Sequence, residues 1–179
     1  MVDKYIDSNM CMLPWSSIET RPDGTYKPCC VYRDELTDPN GKKYNTIEHS
    51  ISEVMNSKSM NDLRDQFLAG EKPFACDSCW KQEAAGNKSK RQHMWRKAQA
   101  LGQAHINKNI VAPRFIDLKL GNICNLKCRI CSPASSSIWA NEMAKFDPDR
   151  KAHWTKYNKQ GVWPRQKNKF YEDLEKHIE

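Results

Sequence analysis

The sequence predicts an α+β chain in two parts: a small cysteine-rich module made of a hairpin and helices, then a β/α unit. Three observations predict it. Cys11, Cys29, Cys30, Cys76 and Cys79 all fall early, beside one turn signal and two helical stretches. The apolar pattern changes from helical to alternating at residues 114–120. Cys124, Cys128 and Cys131 then follow in a C-x3-C-x2-C loop. The expected boundaries are 1–105 for the first module, 106–113 for a linker and 114–179 for the second part.

In chain order, Ser16 to Thr20 reads as a strand. Arg21-Pro22-Asp23-Gly24 has turn chemistry, because proline presets φ and glycine tolerates positive φ. Thr25 to Lys27 returns, which brings Cys11 near Cys29 or Cys30. Residues 31–49 read as a loop. Ser50 with Glu53 resembles a capping box, opening a helix to about Ala69 with a Met60, Leu63, Phe67, Leu68 stripe and Gly70 as its stop. After Cys76 and Cys79, a helix is expected from Trp80 to Leu101. Its inner face would carry Arg91, Met94, Trp95, Ala98 and Leu101, with Gly86 as a weak point. Residues 114–120 alternate Ile116, Leu118 and Leu120 with Phe115, Asp117 and Lys119, as a strand does. Ser135 to Ser137 offer caps to a helix striped by Ile138, Trp139, Met143 and Phe146. A polar loop and a terminal helix over 169–178 complete the reading.

The 179 residues are only 39% hydrophobic and 28% charged, so a single self-sufficient core is not expected, and the eight cysteines are the candidates to replace it. The chain opens on polar residues with no secretory signal or membrane span, which places it in the cytoplasm, where clustered Cys-x2-Cys spacings point to metal more than to disulfides. The net charge is +7, and residues 81–97 carry much of the excess. That stretch reads as a solvated helix face. A nucleic-acid surface or a docking surface for an acidic partner are the alternatives, and no nucleic-acid motif accompanies it. His49, His93 and His105 lack ligand spacing and read as solvated or core histidines.

Three thiolates three and four residues apart in one curled loop can reach three corners of an iron–sulfur cube, whereas structural zinc prefers four ligands. An open fourth iron is then free for a substrate. CNLKCRIC after the strand FIDLKLGN resembles the cluster loop of the radical S-adenosylmethionine (SAM) enzymes. The resemblance implies a TIM-barrel-like domain of which residues 114–179 hold the first β/α unit. It implies a 4Fe–4S cluster on Cys124, Cys128 and Cys131, and SAM chelated at the open iron and cleaved reductively. It also implies an electron donor such as a flavodoxin or ferredoxin. Ile130 stands where the family usually places an aromatic beside adenine, and offers apolar contact without stacking.

C-x2-PW, G-x3-PCC and C-x2-CW resemble the SPASM and twitch modules that carry an auxiliary cluster, here ahead of the barrel and not behind it. By resemblance, Cys11, Cys29, Cys76 and Cys79 hold a second 4Fe–4S cluster. Cys30 is the alternative to Cys29, and zinc on the same four residues is the alternative to iron. Trp15 and Trp80 would cover the cluster. Binding free energy would stand in for a core.

A full eight-unit barrel runs to about 250 residues. No Gly-Gly-Glu-Pro type motif follows Cys131, so the chain is expected to be the N-terminal part of a longer enzyme, inactive until a C-terminal barrel portion is supplied. The expected function is a radical SAM enzyme, or its N-terminal part, acting on a peptide or protein by family analogy. The alternative is a zinc-binding nucleic-acid or protein interaction module built on the basic 81–97 stretch. Nucleic acid is the less favoured partner.

Overall fold

The computed structural model describes residues 8–102 and 111–178. Its elements are α1 (Leu13–Ser16), β1 (Ser17–Thr20), β2 (Tyr26–Lys27), α2 (Ile51–Met55), α3 (Lys58–Leu68), α4 (Asp77–Ala84), α5 (Lys90–Ala100), β3 (Phe115–Leu118), α6 (Ser137–Phe146), α7 (Lys151–Gln160) and α8 (Lys169–Leu174), joined by short 3-10 turns. The fold is α+β with a three-stranded sheet in the order β2-β1-β3. Two compact units emerge. Among the described residues the first takes 8–19, 27–43, 52–102 and 111–117, and the second takes 20–26, 44–51 and 118–178.

The first unit is organised around α1, where Pro14 enters a first helical turn that needs no N–H from it. Cys11, Leu13, Trp15, Leu63, Phe67 and Met94 form one buried cluster, with Cys29, Tyr32, Cys76, Trp80, Val111 and Phe115 packed on its margin. Met12, Trp95 and Ala98 form a second. A buried arginine fastens α1 to α3. Arg64 Nε and Nη2 donate to Pro14 O (3.0 and 2.7 Å), Nη2 to Met55 O (2.5 Å) and Nη1 to Asn61 Oδ1 (2.7 Å). Burial lowers Arg64 to about 10, so it remains a cation at neutral pH. Ala112 and Arg114 N–H donate to Trp15 O and Ser16 O, so this segment runs in the same direction as β1.

Several elements differ from expectation. The single helix over 50–69 is two helices. Ser57 adopts extended backbone and accepts from Met60 N–H, starting α3 afresh. Met60, Leu63 and Phe67 are buried as their spacing predicted, while Leu68 is exposed. The helix expected over 80–101 begins at Asp77 and breaks after α4. Gly86 there sits at φ +76, and Ser89 caps α5 in a capping box with Gln92. Arg91, Met94, Trp95 and Ala98 face inward as predicted, but Leu101, at the C-cap, is 57% exposed. The strand expected over 114–120 is shorter, Phe115–Leu118, and pairs with β1. His105 and residues 106–110 of the expected linker lie outside the described residues.

In the second unit the expected polar loop after residue 150 is helical. α7 packs on α6, with Asn158 Nδ2 donating to Asn141 Oδ1 (2.6 Å). The Arg21–Gly24 turn is present, closed by Gly24 N–H to Arg21 O (2.8 Å). Gly24 sits at φ +82, and a Cβ there would lie 2.7 Å from Thr46 Oγ1 and 3.1 Å from the Trp163 ring. Trp163, Phe170 and Tyr26 form a small aromatic core, with Trp163 and Phe170 edge to face at 5.6 Å.

Candidate metal centres

Cys11, Cys29, Cys76 and Cys79 line one small cavity, together with Leu13, Val31, Tyr32, Phe67, Trp80 and Arg91. Each sulfur arrives from a different local structure. Cys11 precedes α1, Cys29 follows β2, Cys76 closes the 3-10 turn Phe74–Cys76, and Cys79 lies in α4. All eight cysteines are free thiols. The loop after β2 is held by buried Lys27, whose Nζ donates to Tyr32 O (2.7 Å) and Arg33 O (3.2 Å), and by Tyr32 N–H to Cys29 O (3.2 Å). Asp77, at the start of α4, pairs with Arg33 and with Lys81 (2.7 Å). These contacts fix three of the four cysteines through their backbone neighbours.

The electrostatics of this cavity bear on which form its thiols take. Burial, then the neighbouring Cys29 sulfur, pushes the Cys11 thiol well above its ordinary value. Burial raises Cys29 to about 11, and burial followed by Cys29 and Cys79 raises Cys76 to about 12. Tyr32 is pushed up to about 12 by burial and then by Cys76. Thiols held in an apolar pocket against one another stay protonated unless a cationic centre is among them, and a coordinating metal reverses that balance outright. The backbone already leans toward the thiolate form: Leu13 N–H points to Cys11, and Val31 and Tyr32 N–H point to Cys29. Amides aimed at ligand sulfurs are the means by which a protein tunes a bound cluster. The residues present therefore fit a polynuclear or mononuclear metal centre with four thiolate ligands.

Cys30 is not on this cavity. It is exposed, and its sulfur lies with carboxylate oxygens of Glu19 and Asp117, the three ligand atoms within 4.8 Å of one another.

Cys124, Cys128 and Cys131 are carried by a loop bolted to the N-terminal end of α6. Ser137 N–H donates to Asn122 O (2.8 Å), Ser136 Oγ to Leu126 O (3.1 Å) and Trp139 Nε1 to Cys128 O (2.9 Å). Cys131 N–H closes a turn on Cys128 O (3.0 Å), and Leu126 N–H approaches Cys124 Sγ (3.4 Å). The thiols are close enough that Cys128 and Cys124, after burial, raise Cys131. The partial positive charge of a helix N-terminus favours thiolates placed there. Asn122 anchors the start of the loop, donating to Tyr157 O (3.0 Å). Ile130 is 98% exposed, beside exposed Ile123 and Leu126. His49 stacks edge-on with Tyr44 at 4.9 Å, and His93 is exposed, so neither joins a cysteine set.

Sequence reasoning placed Arg91 on an inner face but gave it no partner. Its Nε and Nη2 grip both oxygens of Glu83 (2.8 and 2.7 Å), Nη1 donates to Met10 O (2.8 Å), and the guanidinium lies over the Trp80 ring at 4.9 Å. The Glu83–Arg91 spacing crosses the break between α4 and α5, so no helical periodicity announces it.

Residues 11–80 match the SPASM family, an iron–sulfur cluster-binding domain. The match begins on Cys11 and ends on Trp80, so it takes in all four cysteines of the cavity. No curated protein and no solved structure matches the chain. Among the described residues no helix is long and apolar enough to cross a membrane.

Proposed function

We propose that the chain is a radical SAM protein carrying two 4Fe–4S clusters, one on Cys11, Cys29, Cys76 and Cys79 and one on Cys124, Cys128 and Cys131. The observation that carries the proposal is the convergence of four cysteines on one cavity within the span of the SPASM match. The three-cysteine loop, by its resemblance to the radical SAM cluster loop, supplies the rest. Cys124, Cys128 and Cys131 would hold a cluster whose open iron could take SAM, and that cluster would supply the electron for reductive cleavage of the sulfonium. The chain's own residues hold the loop on α6 through Ser136, Ser137 and Trp139, and present Ile130 as an apolar surface for adenine.

The electron comes from a flavodoxin- or ferredoxin-type donor. A peptide or protein substrate follows the family analogy. The site of action is the cytoplasm. Anaerobic reconstitution with iron and sulfide is the test: iron bound with equivalent labile sulfide supports the reading. Colourless protein holding stoichiometric zinc would overturn the reading.

That second outcome is the competing function, a zinc-stabilised interaction module. It is favoured by exposed Lys88, Arg96 and Lys97, which with Lys90 show no ion-pair partner among the described residues.

A further inference from the structure

We infer that the indole N–H of Trp80 donates a hydrogen bond to a sulfur of the cluster in the N-terminal cavity, and that this bond raises the cluster's reduction potential. The inference rests on the iron–sulfur reading of that cavity and goes beyond it by assigning a non-ligand residue a role in tuning.

Trp80 lines the cavity formed by the four cysteines and directly follows Cys79. Its Nε1 is buried and has no hydrogen-bond partner among the described residues. A buried N–H left unpaired is destabilising, and a group bound in the cavity is a partner that would satisfy it. The four cysteine sulfurs line the same cavity and do not serve as its acceptor. A mononuclear metal adds no acceptor atom to this wall. A cluster adds inorganic sulfides, which do accept.

The ring is also held in place before anything binds. Arg91 lies over one face at 4.9 Å, itself locked by Glu83 and Met10 O, and Phe67 packs at 6.4 Å with the rings tilted by 55°. A donor fixed in this way stabilises the more negative, reduced cluster over the oxidised one, because hydrogen bonds to the sulfurs strengthen as their charge grows.

The test uses the full chain with Cys124, Cys128 and Cys131 replaced by Ala, reconstituted anaerobically, so that one cluster is observed. Its midpoint potential is measured by EPR-monitored titration for Trp80 and for Trp80→Phe, which keeps the ring and loses the N–H. The expected result is a shift of about tenfold in the reduction equilibrium toward the oxidised form, about 59 mV lower for one electron. An unchanged or higher midpoint overturns the inference while leaving the cluster assignment standing. Should Trp80→Phe fail to hold the cluster, ENDOR on the Trp80 protein carrying 15N-tryptophan decides instead. A coupled indole nitrogen with an exchangeable proton supports the bond, and its absence overturns it. Zinc uptake without labile sulfide removes the iron–sulfur reading and this inference with it.

Discussion

Replacing Arg64 by Ala tests the claim that α1 is pinned to α3 by charge-assisted hydrogen bonds and not by packing alone. The substitution removes two donors from Pro14 O, one from Met55 O and one from Asn61 Oδ1. Arg64 is only 4% exposed, so water does not readily replace them. Each buried acceptor left without its donor costs about 1–3 kcal/mol, and relief from burying the guanidinium returns part of that. The expected net loss is about 2–4 kcal/mol. Arg64→Lys should recover only part of it, because an ammonium on a flexible stem cannot reproduce the planar fork across two carbonyls. The assay is guanidinium chloride unfolding of the reconstituted protein, with the midpoint falling and the slope unchanged. Iron bound by the N-terminal cysteines should fall as well, since Pro14 shares α1 with the core that seats Cys11. A loss under about 0.5 kcal/mol with full iron retention would refute the reasoning, because surface substitutions already reach that size.

Further outcomes follow from the same geometry. Cys29→Ala should lose the N-terminal iron and its stabilisation, whereas Cys30→Ala, at an exposed thiol off the cavity, should keep both; iron analysis with thermal melts checks this, and the reverse ranking moves the ligand to Cys30. Replacing Cys124, Cys128 and Cys131 together by Ala should remove about half the reconstituted iron, measured colorimetrically, if each set holds one four-iron cluster. Gly161→Ala would place a Cβ 1.6 Å from Asn122 Oδ1 and 2.8 Å from Asn122 N, so the anchor of the three-cysteine loop must move. Overpacking of this kind costs about 1–3 kcal/mol, and iron loss confined to that loop should accompany it in the same iron assay.

What the sequence disclosed depends on how local the cause was. The Arg21–Gly24 turn, the Met60–Leu63–Phe67 stripe and the inner face of α5 are set by neighbours within a few residues, and each was legible. The break at Ser57 was also local in cause, but the apolar stripe runs across residues 50–69 and masks it. α7 was missed for another reason. KAHWTKYNKQ carries no continuous apolar stripe, and its helix is supported by α6 and by the Asn122 bond to Tyr157 O. β3 was recognised by its alternation, while its pairing with β1 rests on contacts about a hundred residues apart, which no period encodes. The cysteine spacings proposed the ligand sets. The orphaned Trp80 N–H and the Glu83–Arg91 clamp became visible only once the break between α4 and α5 folded the chain back on itself.

The two cysteine sets differ in how much chain they fasten, and that difference bears on what each can do. Cys11, Cys29 and the Cys76–Cys79 pair come from three separated segments, with Cys11 and Cys79 buried, around a cavity closed by Leu13, Phe67 and Trp80. A centre that joins them closes long loops, so its binding free energy is folding free energy for the first unit, where a chain with 39% hydrophobic residues needs it most. Cys124, Cys128 and Cys131 come from one short loop already secured to α6 by Ser136, Ser137 and Trp139, so a centre there fastens little that is not fastened already. Cys128 is exposed, and Ile123, Leu126 and Ile130 around it are exposed too. In the first arrangement metal binding would serve structure, with the centre shielded behind aromatic and aliphatic walls. The second would leave a centre reachable, the condition a SAM-binding cluster must meet.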